Sequence, residues 1–262
     1  MPLANYTVGS PSRPAITHDN GFLDQFAPRA ATFADRASYT YWHGKLEAAE
    51  AAQDVPLLPH NDIPDALAAY RHFLEGTGTT RTFSYERYVS NDSSGATMLR
   101  NAIIEAKSAA SALYSGLPTP GSTSFDFTGT ALTVRANSVE FPYPATENWQ
   151  KAIGAHVFWI SGSVSVTHVS PDQPAFDLTF TIHAEDQYNF NPGQADIATG
   201  IPDSANGVFE VTGLAQGYRN EATLTRRVQW TGPTPTGTHT VTDAPTRRQR
   251  PPNNNRRIRN LM

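Results

Sequence analysis

The segment Asp186-Gln187-Tyr188-Asn189-Phe190-Asn191-Pro192-Gly193 places the carboxylate of Asp186, the phenol of Tyr188 and the amides of Asn189 and Asn191 within six residues, just before a Pro-Gly turn. A turn requires one or two such residues, so four polar groups converging on one strand end mark a candidate site. Carboxylate and amide oxygens suit a hard cation, Mg²⁺ or Ca²⁺. Asp186 and Asp196 would be its carboxylate ligands, with Asp203 further along the acidic loop 193–207. Such an ion can hold a diphosphate and polarise phosphorus while Tyr188 donates to a phosphoryl oxygen. The plainer expectation is an Asx-type turn, with Asp186 and Asn191 bonding backbone and Tyr188 plugging the sheet end.

A site of this kind also wants a proton carrier and a cation. His183 lies three residues before Asp186 and is the candidate acid or base, although a histidine there is more often solvent-facing. Arg226 and Arg227 in a late strand alternate faces, so one of them at most can point at the cluster to bind phosphate. Arg219 is a weaker candidate of the same type. His72 falls on the polar side of a helix. His156, Trp149 and Trp159 suit packing better than chemistry. Ser161-Gly162-Ser163 is not a nucleophile elbow, and P-loop, Rossmann glycine, HExxH and EF-hand patterns are absent.

The elements that must position these groups follow from apolar periodicity. Residues 1–40 are mixed and Pro-containing and should form an irregular arm on the body. Asp62-Ile63-Pro64 opens a helix, with Asp as cap, that Gly76 stops. After Ser93-Ser94-Gly95, the positions Met98, Leu99, Ala102, Ile103, Ala106, Ala109, Ala110 and Leu113 keep a helical period up to Gly116. The many alanines call for close packing. Beyond Leu117-Pro118 the pattern becomes strand-like at 125–127, 132–134 and 139–141, with a short helix from Thr146 to Gly154. Two long strands follow, Val157–Val169 and Phe176–Ala184. In the second, Phe176, Leu178, Phe180 and Ile182 share one face, and Asp177, Thr179, Thr181 and His183 the other. Phe209-Glu210-Val211 and Leu224–Trp230 read as the last strands.

The expected fold is α+β, with a helical, partly irregular N-terminal half (1–118), a C-terminal antiparallel β-barrel-like domain (119–243) and a basic disordered tail (244–262). The tail holds six arginines and no acid, so the overall charge of −4 less the tail's +6 leaves about −10 on the body. That argues against nucleic acid as the main partner of the folded part. The chain has no cysteine, which removes disulfides, thiolate catalysis and zinc–thiolate sites. The first residues lack the basic and apolar regions of a Sec signal, and no window has the roughly 18 apolar residues of a membrane span.

Around the opening motif the sequence resembles the catalytic domain of colicin M-type bacteriocins. The resemblance covers the Gly-containing strand Trp159-Ile160-Ser161-Gly162-Ser163-Val164-Ser165-Val166, the strand Phe176 to His183, and Asp186-x-Tyr188-Asn189-x-Asn191-Pro192. It implies a toxin or secreted effector that hydrolyses a phosphoester of lipid II, the lipid-linked peptidoglycan precursor. It further implies export by a dedicated machine to the target periplasm, and an immunity protein in the producer. The family pattern is Asp-x-Tyr-Asp, five residues, then His-Arg. Asp186 and Tyr188 match it, Asn189 stands at the second Asp, and Ala195 and Asp196 stand at His-Arg. The alternatives are a non-enzymatic binding or structural module of a secretion-system or phage-like particle, which would fit a cytoplasmic protein, and a carbohydrate-binding sheet.

Overall fold

The computed structural model describes residues 1–53, 61–118, 122–170, 173–196, 199–233 and 239–243; the Arg-rich tail lies outside them. Its helices are α1 (Phe33–Gln53), α2 (Pro64–Leu74), α3 (Tyr85–Asn91), α4 (Ser93–Ser115), α5 (Glu147–Ala152) and α6 (Ser204–Thr212). Its strands are β1 (Tyr6–Val8), β2 (Arg81–Thr82), β3 (Thr123–Gly129), β4 (Leu132–Val134), β5 (His156–Ser170), β6 (Gln173–Tyr188), β7 (Tyr218–Thr231) and β8 (His239–Asp243). The fold is α+β. All eight strands join one sheet in the order β1-β3-β5-β6-β7-β2, with β4 also on β5 and β8 also on β7. Every pairing is antiparallel except β2 with β7, and the sheet is open rather than closed on itself.

The expected alternation sets the two faces. Phe176, Leu178, Phe180, Ile182 and Ala184 of β6 are buried, as are Ala222, Leu224 and Val228 of β7. Against this face lies α4, whose Met98, Ala102, Ala106, Ala109 and Ala110 are wholly buried. Small side chains let helix and sheet approach closely, which is the packing the alanine spacing predicts. Gly162 of β5 serves the same end, because a Cβ there would lie 2.7 Å from the Phe127 ring. A second cluster joins α1, α2 and α6 through Leu46, Phe73, Leu74 and Phe209 to Tyr218 of β7, and Tyr188 and Phe190 pack on it. The strand-end motif therefore sits where the sheet meets these helices.

Several elements differ from their expected form. Ile63, not Asp62, stands at the α2 N-cap and offers no side chain to it. Asn148 next to Trp149 caps the helix instead, its Oδ1 accepting from the Asp65 and Ala66 N–H groups at 2.9 and 3.0 Å. Residues 139–141 turn rather than pair, and Val139 is exposed. Residues 209–211 belong to α6, which Gly213 ends at φ 66°. Three alternating residues cannot separate strand from helix, and the full burial set Asn206, Gly207, Phe209, Glu210 and Val211 has helical spacing. Helix α1 has Leu46 as its one buried residue, so its apolar period is faint.

Residues 1–32 form the arm expected on the body, while residues 33–40, expected in it, open α1. Arg13 and His18 both bond Glu185, on the outer face of β6. Further along, the Phe22 N–H donates to the Phe190 carbonyl at 3.1 Å. Gly21 permits that contact: its φ is +58°, and a Cβ would lie 2.2 Å from the same oxygen.

Candidate functional site

Asp186 and Tyr188 close the inner face of β6, opposite Asn220 and Tyr218 of β7. The Asp186 carboxyl is bonded by the Asn220 side chain and the Gln187 backbone N–H. Burial raises its pKa well above the usual carboxylate value, and the Asp19 charge adds to the rise; the two hydrogen bonds offset only part of it. Asn220 is fully buried and relays the site to its surroundings. Its Nδ2 donates to the Ala152 carbonyl at 3.1 Å, and its Oδ1 accepts from Arg81 Nη1 at 3.1 Å. A carboxyl held by an amide instead of a cation gains little for its charged form, so burial prevails.

Tyr188 stacks on Tyr218, with ring centroids 5.0 Å apart. Desolvation raises its phenol; Arg81 pulls the other way, while Asp186, Asp203 and Asp196 push it higher. Tyr143 is raised by burial and by the same three aspartates. Two neutral phenols thus share one set of carboxyl groups. Asp196 is bound by Lys151, Nζ to Oδ2 at 2.8 Å, and Lys151 also holds Glu147 at 2.6 Å. Asp203 accepts the Asn191 backbone N–H at 2.9 Å, and burial lifts its pKa. Asn189 turns to the arm, its Nδ2 donating to Asp19 Oδ1 at 2.7 Å. The Asx-turn expectation is met only in part, since Asn191 is tied down by its own backbone N–H while its side chain leans on Asn189 at 3.4 Å.

The other expected site residues lie elsewhere. His183 is on the outer face, its ring flat on Trp159 (4.8 Å, 9°) and its Nε2 2.9 Å from Ser161 Oγ. Its parity along the strand is odd where that of Asp186 is even, so the sheet separates them. Arg226 is on the inner face but pairs across to Phe180, six residues or about 20 Å along the strand from Asp186. It bonds Glu86 at 2.7 and 2.8 Å. Arg227 bonds Asp177 on the outer face, and Arg219 bonds Glu221. His156 is buried against Tyr85 at 2.8 Å and lowered to about 4 by desolvation, a packing role as expected. His72 bonds the Thr79 carbonyl at 2.7 Å and abuts the Tyr218 ring.

Among the described residues, no three His, Asp or Glu side chains are placed to surround a metal ion. No described strand presents an exposed large aromatic ring of the sort a sugar-binding platform needs, since Trp159 is covered. No described helix is long and apolar enough to cross a membrane.

Sequence reasoning missed Arg81, Asn220, Tyr143 and Lys151. Arg81 belongs to a two-residue strand paired with β7 some 140 positions away, which no local pattern reveals. Asn220 was legible in principle, as a polar residue at a core-parity position of β7.

No protein-family model matches this chain, and no curated protein sequence does. Among solved structures it is similar to PaeM, a colicin M-like bacteriocin produced by Pseudomonas aeruginosa, at 19% identity and a TM-score of 0.37. The match covers 64% of this chain and 50% of that one, so the chain spans about half the length of that protein.

Proposed function

We propose that the strand end of β6 is a hydrolytic site for a phosphoester, and that its substrate is a lipid-linked peptidoglycan precursor such as lipid II. The observation that carries this reading is the setting of Asp186: a carboxyl bonded to an amide, beside two phenols and two further carboxyl groups. Pairs of acids pushed apart in basicity divide into a proton donor and a proton acceptor. Asp186, the more strongly raised, is the acid. Asp203 takes a proton from water as the water oxygen bonds phosphorus. The P–O bond to the leaving group breaks, and that oxygen receives the Asp186 proton. Tyr188 and Tyr143 remain protonated and donate to phosphoryl oxygens. Asn189 and Asn191 hold the loop against the arm and Asp203. A toxin of this kind would leave its producer by a dedicated export machine and require an immunity protein there.

The test is incubation of purified protein with lipid II, following release of the pyrophosphoryl-disaccharide-pentapeptide. Release that Asp186→Asn abolishes is the expected result; an intact substrate, with folding confirmed by circular dichroism, refutes the reading. One observation favours the alternative of a binding or structural module. Asn189 and Asp196 are both committed to internal partners, Asp19 and Lys151, as they would be in a brace for the arm.

A further inference from the structure

A phosphoester site must meet phosphoryl negative charge, and the motif contains no cation. The cations that hug the sheet are already engaged: Arg13 with Glu185, Arg219 with Glu221, Arg226 with Glu86, Arg227 with Asp177 and Lys151 with Asp196. Arg81 differs. Of the described arginines that form no ion pair with a carboxylate, it alone is partly buried; Arg36, Arg100 and Arg135 are exposed. Its one hydrogen bond among the described residues is from Nη1 to Asn220 Oδ1, which leaves most of its guanidinium fork unspent. Parallel pairing of β2 with β7 sets it opposite Asn220, and it is near enough to Tyr188 and Tyr218 to oppose the rise of both phenols. Its Asn220 contact fixes one edge of the fork while Asn220 bonds Asp186.

We propose that Arg81 binds a phosphoryl oxygen of the substrate, so that a residue of β2, far from the motif in sequence, supplies the cation the motif lacks. This rests on the phosphoester reading, and it narrows the ligand to one presenting a terminal or bridging phosphate beside Asp186. The planar fork suits two oxygens of one phosphoryl group, which an ammonium cannot match.

The test uses the full chain and inorganic pyrophosphate as probe, with binding followed by calorimetry and unliganded thermal unfolding as a check on folding. Wild-type protein should bind pyrophosphate. Arg81→Gln, which keeps a donor for Asn220, should bind it at least about tenfold more weakly, and Arg81→Lys should fall between. With lipid II, Arg81→Lys should raise KM more than it lowers kcat, a split that a purely structural residue would not produce. Wild-type protein that binds no pyrophosphate, or a glutamine variant that binds it equally well, overturns the assignment. Arg81-dependent binding by a protein that leaves lipid II uncut upholds the assignment and refutes the hydrolase reading alone.

Discussion

Glu185 and Asp186 are neighbours in the chain and opposites in chemistry. Glu185 is on the outer face of β6, where burial would raise its pKa, yet hydrogen bonds from Arg13 and His18 overcome that and hold it below the usual value. Asp186 points inward to an amide and a backbone N–H, and burial wins. The same contrast separates Asp177, which Arg227 lowers, from Asp203, which burial raises. The outer face uses its acids to fasten the arm and the sheet. At the inner strand end burial raises the pKa of Asp186 and of Asp203. Ionisation along this strand is decided by which face a residue occupies and whether a cation reaches it, not by residue type.

The largest effect expected from breaking this contrast is on the inner acid. Asp186→Asn preserves the amide-like contacts and removes the proton, so lipid II hydrolysis should fall by about 10² to 10⁴-fold while thermal stability is kept or raised. Next is the outer acid. Glu185→Gln leaves Arg13 and His18 without their carboxylate. Because the Arg13 side chain is 40% exposed, the loss should stay near 1–3 kcal/mol in chemical denaturation. The same variant should be cut faster by proteases within residues 10–20, as the arm loses its anchor.

A third acid sharpens the comparison. Glu210 is buried, its Oε2 has no hydrogen-bond partner among the described residues, and burial lifts its pKa to about 7, the Phe190 and Gly217 N–H groups offsetting only part of the rise. The folded state therefore holds a proton that the unfolded chain releases near 4.5, and this contribution is lost as pH rises from about 4.5 to 7. His156 acts in reverse: the unfolded chain takes a proton near 6.5 that the folded state refuses until about 4, so stability falls as pH drops through that window. Each amounts to about 3 kcal/mol, and over their common range they offset. Glu210→Gln should unmask the histidine, giving a stability that climbs steadily from pH 4 to 6.5 in urea titrations. The smallest effect belongs to the exposed pair on the outer face: Arg227→Ala should change stability by less than about 1 kcal/mol and leave hydrolysis untouched.

Much of the frame was legible in the residues. Alternation in β6 and the alanine spacing of α4 fixed the sheet, its buried face and the helix against it, because both patterns are local and strong. The polar strand end was legible as a candidate site for the same reason. What escaped was long-range. His183 and Asp186 look adjacent in sequence, and only extending β6 to Tyr188 reveals that their parities place them on opposite faces. Arg81 and Tyr143 carry no motif, since each reaches the strand end by tertiary pairing. Helix α6 escaped because its apolar residues are few and Glu210, at an apolar position, is itself buried.

The central claim is that adjacent carboxyls on β6 are tuned in opposite directions, and carbonyl-detected NMR titration of Glu185 and Asp186 in the intact protein tests it most directly. Glu185 should titrate below the usual carboxylate range and Asp186 well above it, with Asp186 moving down when Asp19 is neutralised and further up when Asn220 loses its side-chain amide. Both groups titrating together at an ordinary value, or Asp186 ionising first, would contradict the account and remove the acid on which the proposed hydrolysis depends.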